Sequence, residues 1–401
     1  MRKSVATKLL GLITAIGIAS ASLLSPQTAI STNAAEVATG IDVAKYQGSI
    51  NWSQVAASGV KFAFVRAGST VGGQDEQFVN NITGANAAGL RVGVYYYTSA
   101  KTAEQAAAEA TQVLQWIAPY TVSFPVALDI ESPSLSGLST QELNAIINAF
   151  CNVINGSGYH PIVYSSRNWF VNKIGDTSWD KWIAMYSSAL DYTGSYAIWQ
   201  SSSQGSYSGI GTRVDVDHLY KDYFSLIPQQ GLIARDNQTY LYCNYRRVSG
   251  WGVVDGSRYY CNANGVVQSG WFNDGVSNYY LNPDNGGAAA IGFADIGGIR
   301  YYFDENAVMR TGILVVNGQT FYADASGACQ KGFITLEDGT RYFDENYAMV
   351  TGTVQIGDQT YTFDQNGIMV EQDSAAATAA STDNGLAVGT PDIATSGVDE
   401  D

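Results

Sequence analysis

The sequence predicts an α/β fold, a compact or irregular β/α barrel, followed by an all-β solenoid of hairpin repeats. Three observations predict it. Eight strand-like segments lie between about Gly40 and Phe224, with helical patterns between several of them. From Gly231 the spacing changes to a period of about twenty residues. Hydrophobic residues make up 46% of the 401 and charged residues only 14%, enough apolar material for folded structure over most of the chain.

The strand candidates are "GIDVAKY", "KFAFVRAG", "RVGVYYYT", "PVALDIES", "PIVYSS", "KWIAMYSS", "AIWQSSS" and "VDVDHLY". Helical patterns separate several of them, notably "TAEQAAAEATQVLQWIAPY" and "STQELNAIINAFCNVING". In the second, Ser139 and Glu142 have capping-box spacing, and Leu143, Ile146, Ile147, Phe150 and Ile154 form an apolar stripe. Helical connectors between strands predict a parallel sheet, and eight strands in this length predict a barrel. The connectors after "PIVYSS" are short, so the barrel is expected to depart from regular eightfold form.

In the second half Gly250, Gly270, Gly292, Gly312, Gly332 and Gly352 recur at steps of 20, 22, 20, 20 and 20 residues. Each step carries an aromatic cluster after a polar turn, such as Tyr259-Tyr260, Tyr301-Tyr302 and Tyr342-Phe343. A lone hairpin cannot bury its own face, so stacking of about seven units over 231–371 is expected. Residues 372–401 are small, polar and acidic and predict a disordered tail.

The N-terminus, with Arg2, Lys3 and Lys8 ahead of "LLGLITAIGIASASLL", has the layout of a secretory signal over 1–35. The barrel is then expected over 36–226, in a protein that is secreted, extracellular or cell-wall associated, with no membrane span. A net charge of −15 disfavours nucleic acid and anionic membranes as partners, and 26 Tyr and eight Trp favour sugars. Cys151 is expected to be a buried thiol, and Cys243 and Cys261 are candidates for pairing. No zinc-type cluster, and no cofactor, is expected.

"FPVALDIES" places Asp129 and Glu131 inside an apolar strand, and period-two alternation puts both on one face. Function in a β/α barrel gathers at the C-terminal strand ends. Those ends supply Asp42 from the first strand, Asp129 and Glu131 from the fourth and Asp215 from the last. Clustered carboxylates suit a hard cation such as magnesium or manganese. They also suit glycoside hydrolysis, where crowding raises one carboxyl pKa and leaves a proton donor.

With these blocks in order, residues 40–224 resemble glycoside hydrolase family 25, the lysozymes that act as N-acetylmuramidases. "GIDVAKYQGSINWSQVAASGVKFAFVRAG" resembles the family's opening, "ALDIE" its Asp-x-Glu strand, and "AIWQSSSQGSYSGIGTRVDVDHLY" its closing segment. The resemblance implies Asp42, Asp129, Glu131 and Asp215 as active-site acids, with Glu131 as general acid/base. Asp129 is then either a nucleophile or the residue orienting a substrate acetamido group, with the second role favoured. Asp217 stands where the closing motif often has Asn, and Ala44 where Ser is common. Tyr95, Tyr97, Tyr164 and Trp199 are candidates for stacking on sugar rings, with core packing the competing role.

The repeats resemble the cell-wall-binding repeats of choline-binding and glucan-binding proteins. Only Trp251 and Trp271 offer the "GW" opening, so one choline cage is expected at most, from Trp251, Tyr259, Tyr260 and Trp271. The expected partners are peptidoglycan glycan strands for the barrel and a wall polymer for the repeats. The expected function is hydrolysis of the β-1,4 bond after N-acetylmuramic acid. A non-catalytic carbohydrate-binding protein and a chitinase-like endo-N-acetylglucosaminidase are the alternatives.

Overall fold

The computed structural model describes residues 35–235 and 237–373. The expected signal segment and acidic tail lie outside these residues, apart from Ala35 and the last two positions of the strand Met369–Asp373. The chain divides into two compact units. One runs to Trp271 and includes Leu281–Ala289; the other comprises Phe272–Tyr280 and the chain from Ala290.

The first unit holds the barrel. Its strands are β1 (Ala38–Val43), β2 (Phe62–Ser69), β3 (Arg91–Tyr97), β4 (Val126–Asp129), β5 (Pro161–Ser166), β6 (Asp180–Ala184), β7 (Ile198–Gly205) and β8 (Val214–Leu219). They pair in chain order, and β8 returns to β1 to close the sheet. β1 to β7 run parallel, whereas β8 is antiparallel to both neighbours. This corrects the expectation of a parallel sheet throughout. Residues 206–213 between β7 and β8 hold no helix, and a parallel crossover needs about a dozen residues or more.

Helices α1 (Trp52–Ala57), α2 (Phe78–Ala87), α3 (Ala103–Ile117) and α4 (Thr140–Gly156) fill the connections from β1 to β5. Beyond β5 the connections shrink to the turns Arg167–Trp169 and Phe170–Ile174, then to irregular chain over 185–197. The α4 capping box forms: Ser139 N–H donates to Glu142 at 2.8 Å, and Glu142 N–H donates to the Ser139 hydroxyl at 3.3 Å. Two backbone donors at the helix start are thereby satisfied. The stripe predicted on α4 is buried, together with Cys151.

Strand alternation sorts the core into two layers. Ile41, Val43, Ala63, Val65, Val92, Val94, Val126 and Leu128 pack outward in the helix-facing cluster. Their neighbours in sequence, among them Phe62, Phe64, Ala127, Ile162, Trp182, Ile198 and Leu219, fill the barrel interior. Phe64 stacks on Trp182 at 4.4 Å and Phe62 on Phe124 at 4.9 Å, ring to ring. Small residues make the room: a Cβ on Gly93 would stand 2.5 Å from the Phe64 ring and 2.6 Å from the Pro125 carbonyl oxygen. Gly93→Ala is therefore expected to destabilise the barrel by about 1–3 kcal/mol through overpacking. Urea unfolding followed by tryptophan fluorescence measures it.

The barrel floor carries a matched ionic cluster. Asp180, at the start of β6, accepts from Lys221 at 2.7 and 2.8 Å and from the Tyr223 hydroxyl at 2.8 Å, and lies 2.9 Å from His160 Nε2. The first hairpin, Gln230–Arg235 with Gln238–Cys243, is tied to the end of α4. Arg247 donates to the carbonyl and side-chain oxygens of Asn155 at 3.0 Å, and Arg246 to the Ser157 carbonyl at 2.9 Å. Cations at a helix C-terminus also complement its dipole.

From Gly250 each repeat opens on a glycine with φ between +77° and +89°, a conformation that disfavours side chains. That requirement explains the glycine period. In the second unit the hairpins Gly292–Ile296/Ile299–Phe303, Gly312–Val316/Gln319–Ala323, Gly332–Leu336/Gly339–Phe343 and Gly352–Ile356/Gln359–Phe363 repeat one pattern. After each hairpin an Asp side chain accepts backbone N–H groups two and four residues on, at Asp304, Asp324, Asp344 and Asp364. These Asx turns are a second set, distinct from the polar turns that precede each aromatic cluster. All four cysteines are free, so the Cys243–Cys261 pairing does not form. Cys243 is exposed, while Cys261 is buried in a cluster with Leu241, Val254 and Tyr259.

Candidate active site

Alternation that places Ile41 and Val43 outward turns Asp42 into the barrel, and Leu128 and Ile130 do the same for Asp129 and Glu131. On β8, Asp215 and Asp217 share the interior parity of Leu219. Asp42 and Asp215 face each other directly in the β1–β8 ladder, and Asp217 faces Gly40 one step deeper. Asp215 therefore reaches the mouth from the start of its strand, because β8 runs the other way; this corrects the expectation that it sits at a strand's C-terminal end. Five carboxyls converge where four were expected.

Their surroundings differ. Asp42 and Asp129 are 6% exposed and Asp217 is fully buried, while Glu131 is partly open to solvent. Burial raises the pKa of Asp42 well above the ordinary range, and the charges of Asp217 and Asp215 add to it. Burial and then Glu131 do the same for Asp129, with Arg66 opposing. Burial raises Glu131 as well, against a hydrogen bond from the Ser166 backbone, and pushes Asp215 to about 6. Gln200 Nε2 donates to Asp42 at 2.6 Å, and the Trp182 indole to Asp217 at 2.8 Å. Asp129 Oδ1 is buried without a hydrogen-bond partner. Among the described residues no group of three His, Cys, Asp or Glu side chains is arranged to hold a metal ion.

The aromatic candidates divide. Tyr95 and Tyr97 are partly exposed on the interior face at the end of β3. Tyr164 is buried against Trp182 at 4.6 Å, and its hydroxyl donates to Gln200 Oε1 at 2.9 Å. It holds the polar network and presents no open face. Trp199 is also corrected: next to Gln200 in β7 it takes the opposite face, where it packs on His218 and donates to the Met185 carbonyl at 2.9 Å.

Three residues escape a reading of the sequence. Gln200 joins Tyr164 to Asp42, and Tyr186, 59% exposed, donates to the same Gln200 oxygen at 3.1 Å. Arg66 places its guanidinium 5.6 Å from the Tyr97 ring centroid and is the basic group acting on Asp129. Arg66 and Gln200 carry a signal: the first shares the parity of Phe62 and Phe64, the second sits between strand residues of opposite facing. Tyr186 lies in irregular chain and carries none.

In the repeats, Trp251 and Tyr260 face each other across their hairpin at 5.3 Å, and the Arg258 guanidinium lies 4.7 Å from the Trp251 ring. Tyr259 points to the other side, into a core with Leu241, Val254 and Cys261. The four-residue cage is thereby corrected, since adjacent strand residues cannot line one face. Trp271 is 48% exposed.

A closed β/α barrel with two carboxyls of raised pKa at one strand end is an arrangement that suits the chemistry of the glycoside hydrolases. Residues 41–210 match the model of "Glycosyl hydrolases family 25". Over 183 residues the chain is 28% identical to "Autolytic lysozyme" of Clostridium acetobutylicum, covering 45% of this chain and 55% of that protein. It is 32% identical over 196 residues to "Lysozyme M1" of Streptomyces globisporus, covering 44% and 65%. It is 30% identical over 186 residues to "Uncharacterized protein YegX" of Escherichia coli O157:H7, covering 44% and 67%. The chain thus spans little more than half of the first of these relatives. It belongs to glycosyl hydrolase family 25.

Proposed function

We propose that this chain is an exported peptidoglycan hydrolase that cuts the β-1,4 bond between N-acetylmuramic acid and N-acetylglucosamine. The observation that carries the reading is the unequal pair on β4 and the residues after it. Glu131 is partly open with a raised pKa, suited to protonate the leaving oxygen. Asp129, 6% exposed on the same face beside Glu131, would orient a substrate acetamido group. In this mechanism the acetamido oxygen attacks the anomeric carbon as Glu131 gives its proton to the leaving sugar. Water, deprotonated by Glu131, then opens the cyclic intermediate. Asp42 and Asp215 hold negative potential across the mouth, which favours the positive charge developing on the sugar ring. Tyr97 and Tyr186 offer ring faces at the rim. The lysozyme names of two relatives support the same substrate.

The repeats would hold the enzyme on a wall polymer without a choline cage at Trp251, where the Arg258 guanidinium lies against the ring. The deciding experiment is digestion of purified peptidoglycan, with identification of the new reducing-end sugar. Muramic acid there is the expected result, and glucosamine would overturn the linkage. Binding of the full chain to wall fractions should survive free choline.

A further inference from the structure

We propose that Asp217 is a positioning residue that shares one proton with Asp42, so that the buried pair carries a single negative charge. The inference rests on the family 25 reading of the mouth but concerns a residue outside the proposed chemistry. Its basis is geometric. Asp217 is fully buried, and Oδ1 accepts from the Trp182 indole at 2.8 Å. Oδ2 is buried with no donor as long as both acids are ionised. In the β1–β8 ladder Asp217 lies opposite Gly40 and Asp42 opposite Asp215, so the two side chains are diagonal neighbours on the interior face. Each bears on the other's charge. Two buried carboxylates so placed repel, whereas one proton between them makes a hydrogen bond and gives the lone oxygen a partner.

The side chains that act on Asp217 are Trp182, Asp215 and Asp42. Facing Asp217 are Gly40 and Asp42 on β1, Asp215 on its own strand, Gln200 on β7 and Trp182 on β6. Tyr186 and Tyr207 lie within its field. Arg66, the basic group at the mouth, acts on Asp129 and Tyr95. Burial raises the Asp217 pKa well above the ordinary carboxyl range, with Trp182 and Asp42 opposing and the charge of Asp215 adding to the rise. Asp217 is the deeper of the two, and each acid also accepts from one neutral donor, Trp182 for Asp217 and Gln200 for Asp42. Asp42 is then held on two sides, by Gln200 and by Asp217, with its carboxylate fixed toward Asp215. Asn at this position would make the same two bonds, Oδ1 accepting from Trp182 and Nδ2 donating to Asp42.

Capillary electrophoresis of the full chain and Asp217→Asn at neutral pH tests the proton directly. In urea the two must differ by one charge; folded, they should migrate together, because the buried pair carries one negative charge in both. A one-charge difference in the folded state overturns the proposal. Peptidoglycan turnover tests the positioning. Asp217→Ala should lower kcat by about 10- to 100-fold, the loss of one hydrogen bond to a charged group, and Asp217→Asn should restore most of it. An Asn variant as impaired as the Ala variant overturns the role. If Asp217→Ala does not fold, the Asn variant decides alone. If the wild-type chain cuts no peptidoglycan, the family-based reading fails while the electrophoretic result still judges the proton.

Discussion

Glu131→Gln is expected to lower kcat on peptidoglycan by about a thousandfold, the middle of the range for losing a general acid. The amide keeps the volume and the hydrogen bond from the Ser166 backbone, so folding should be untouched. It has no proton to release at the pH where the enzyme works. Departure of a sugar alkoxide without protonation is the step that suffers. An aryl glycoside substrate, whose phenolate leaves unaided, should therefore lose far less in the bond-breaking step than the polymer does. That split separates loss of an acid from loss of a fold. Equal losses on both substrates would remove Glu131 from the role of proton donor. The pH profile should move with it: burial holds the Glu131 proton above the ordinary glutamate range, and the wild-type alkaline limb reports its departure. In the variant that limb should disappear. Steady-state rates on the two substrates across pH measure both effects.

How much of this site is legible in the sequence follows from the backbone rules behind each inference. Parity on β4 puts Asp129 and Glu131 on one face from the order of residues alone, because strand alternation is a local property. The same rule reaches Asp42. It also condemns the cage that joins Tyr259 to Tyr260, where adjacent strand positions are asked to share a face. The direction of β8 is not local. It depends on the eight-residue link 206–213, whose length already argues against a crossover. Asp217 appears in the sequence only as a departure from a motif. Its meaning needs the ladder that sets it diagonal to Asp42, a contact across 175 residues of chain. Tyr186 depends on the irregular chain after β6, where no periodicity exists to read. The repeat glycines are visible as a period, and the positive φ at each gives the period its cause.

Asp180→Ala carries the largest expected stability effect, and the contrast between floor and mouth explains why. Both ends of the barrel bury acids. At the floor the charge is matched: burial alone would raise the Asp180 pKa, but hydrogen bonds and charge from His160 and Lys221 outweigh it and hold the carboxyl far below the usual range. At the mouth the acids face one another, Arg66 is the basic group beside them, and their pKa values rise. A fold selected only for stability would match both ends alike. Removing Asp180 strands Lys221 and leaves the Tyr223 hydroxyl without its acceptor at a site 9% exposed on the acid's side. The cost should be about 3 kcal/mol, the low end for breaking a buried pair because Lys221 keeps some water. In the barrel's thermal transition that is a fall of roughly 6–12 °C. The sign with pH is fixed by the direction of the shift. A depressed folded pKa gives stability that is present above the unfolded carboxyl value and is lost as pH falls through the folded one. Wild type and variant should therefore differ most near neutral pH and converge in acid. The raised acids at the mouth act oppositely, losing stability as pH rises through their folded values. Calorimetry of both chains across pH reads the convergence directly, and a gap that persists in acid would mean Asp180 acts through packing alone.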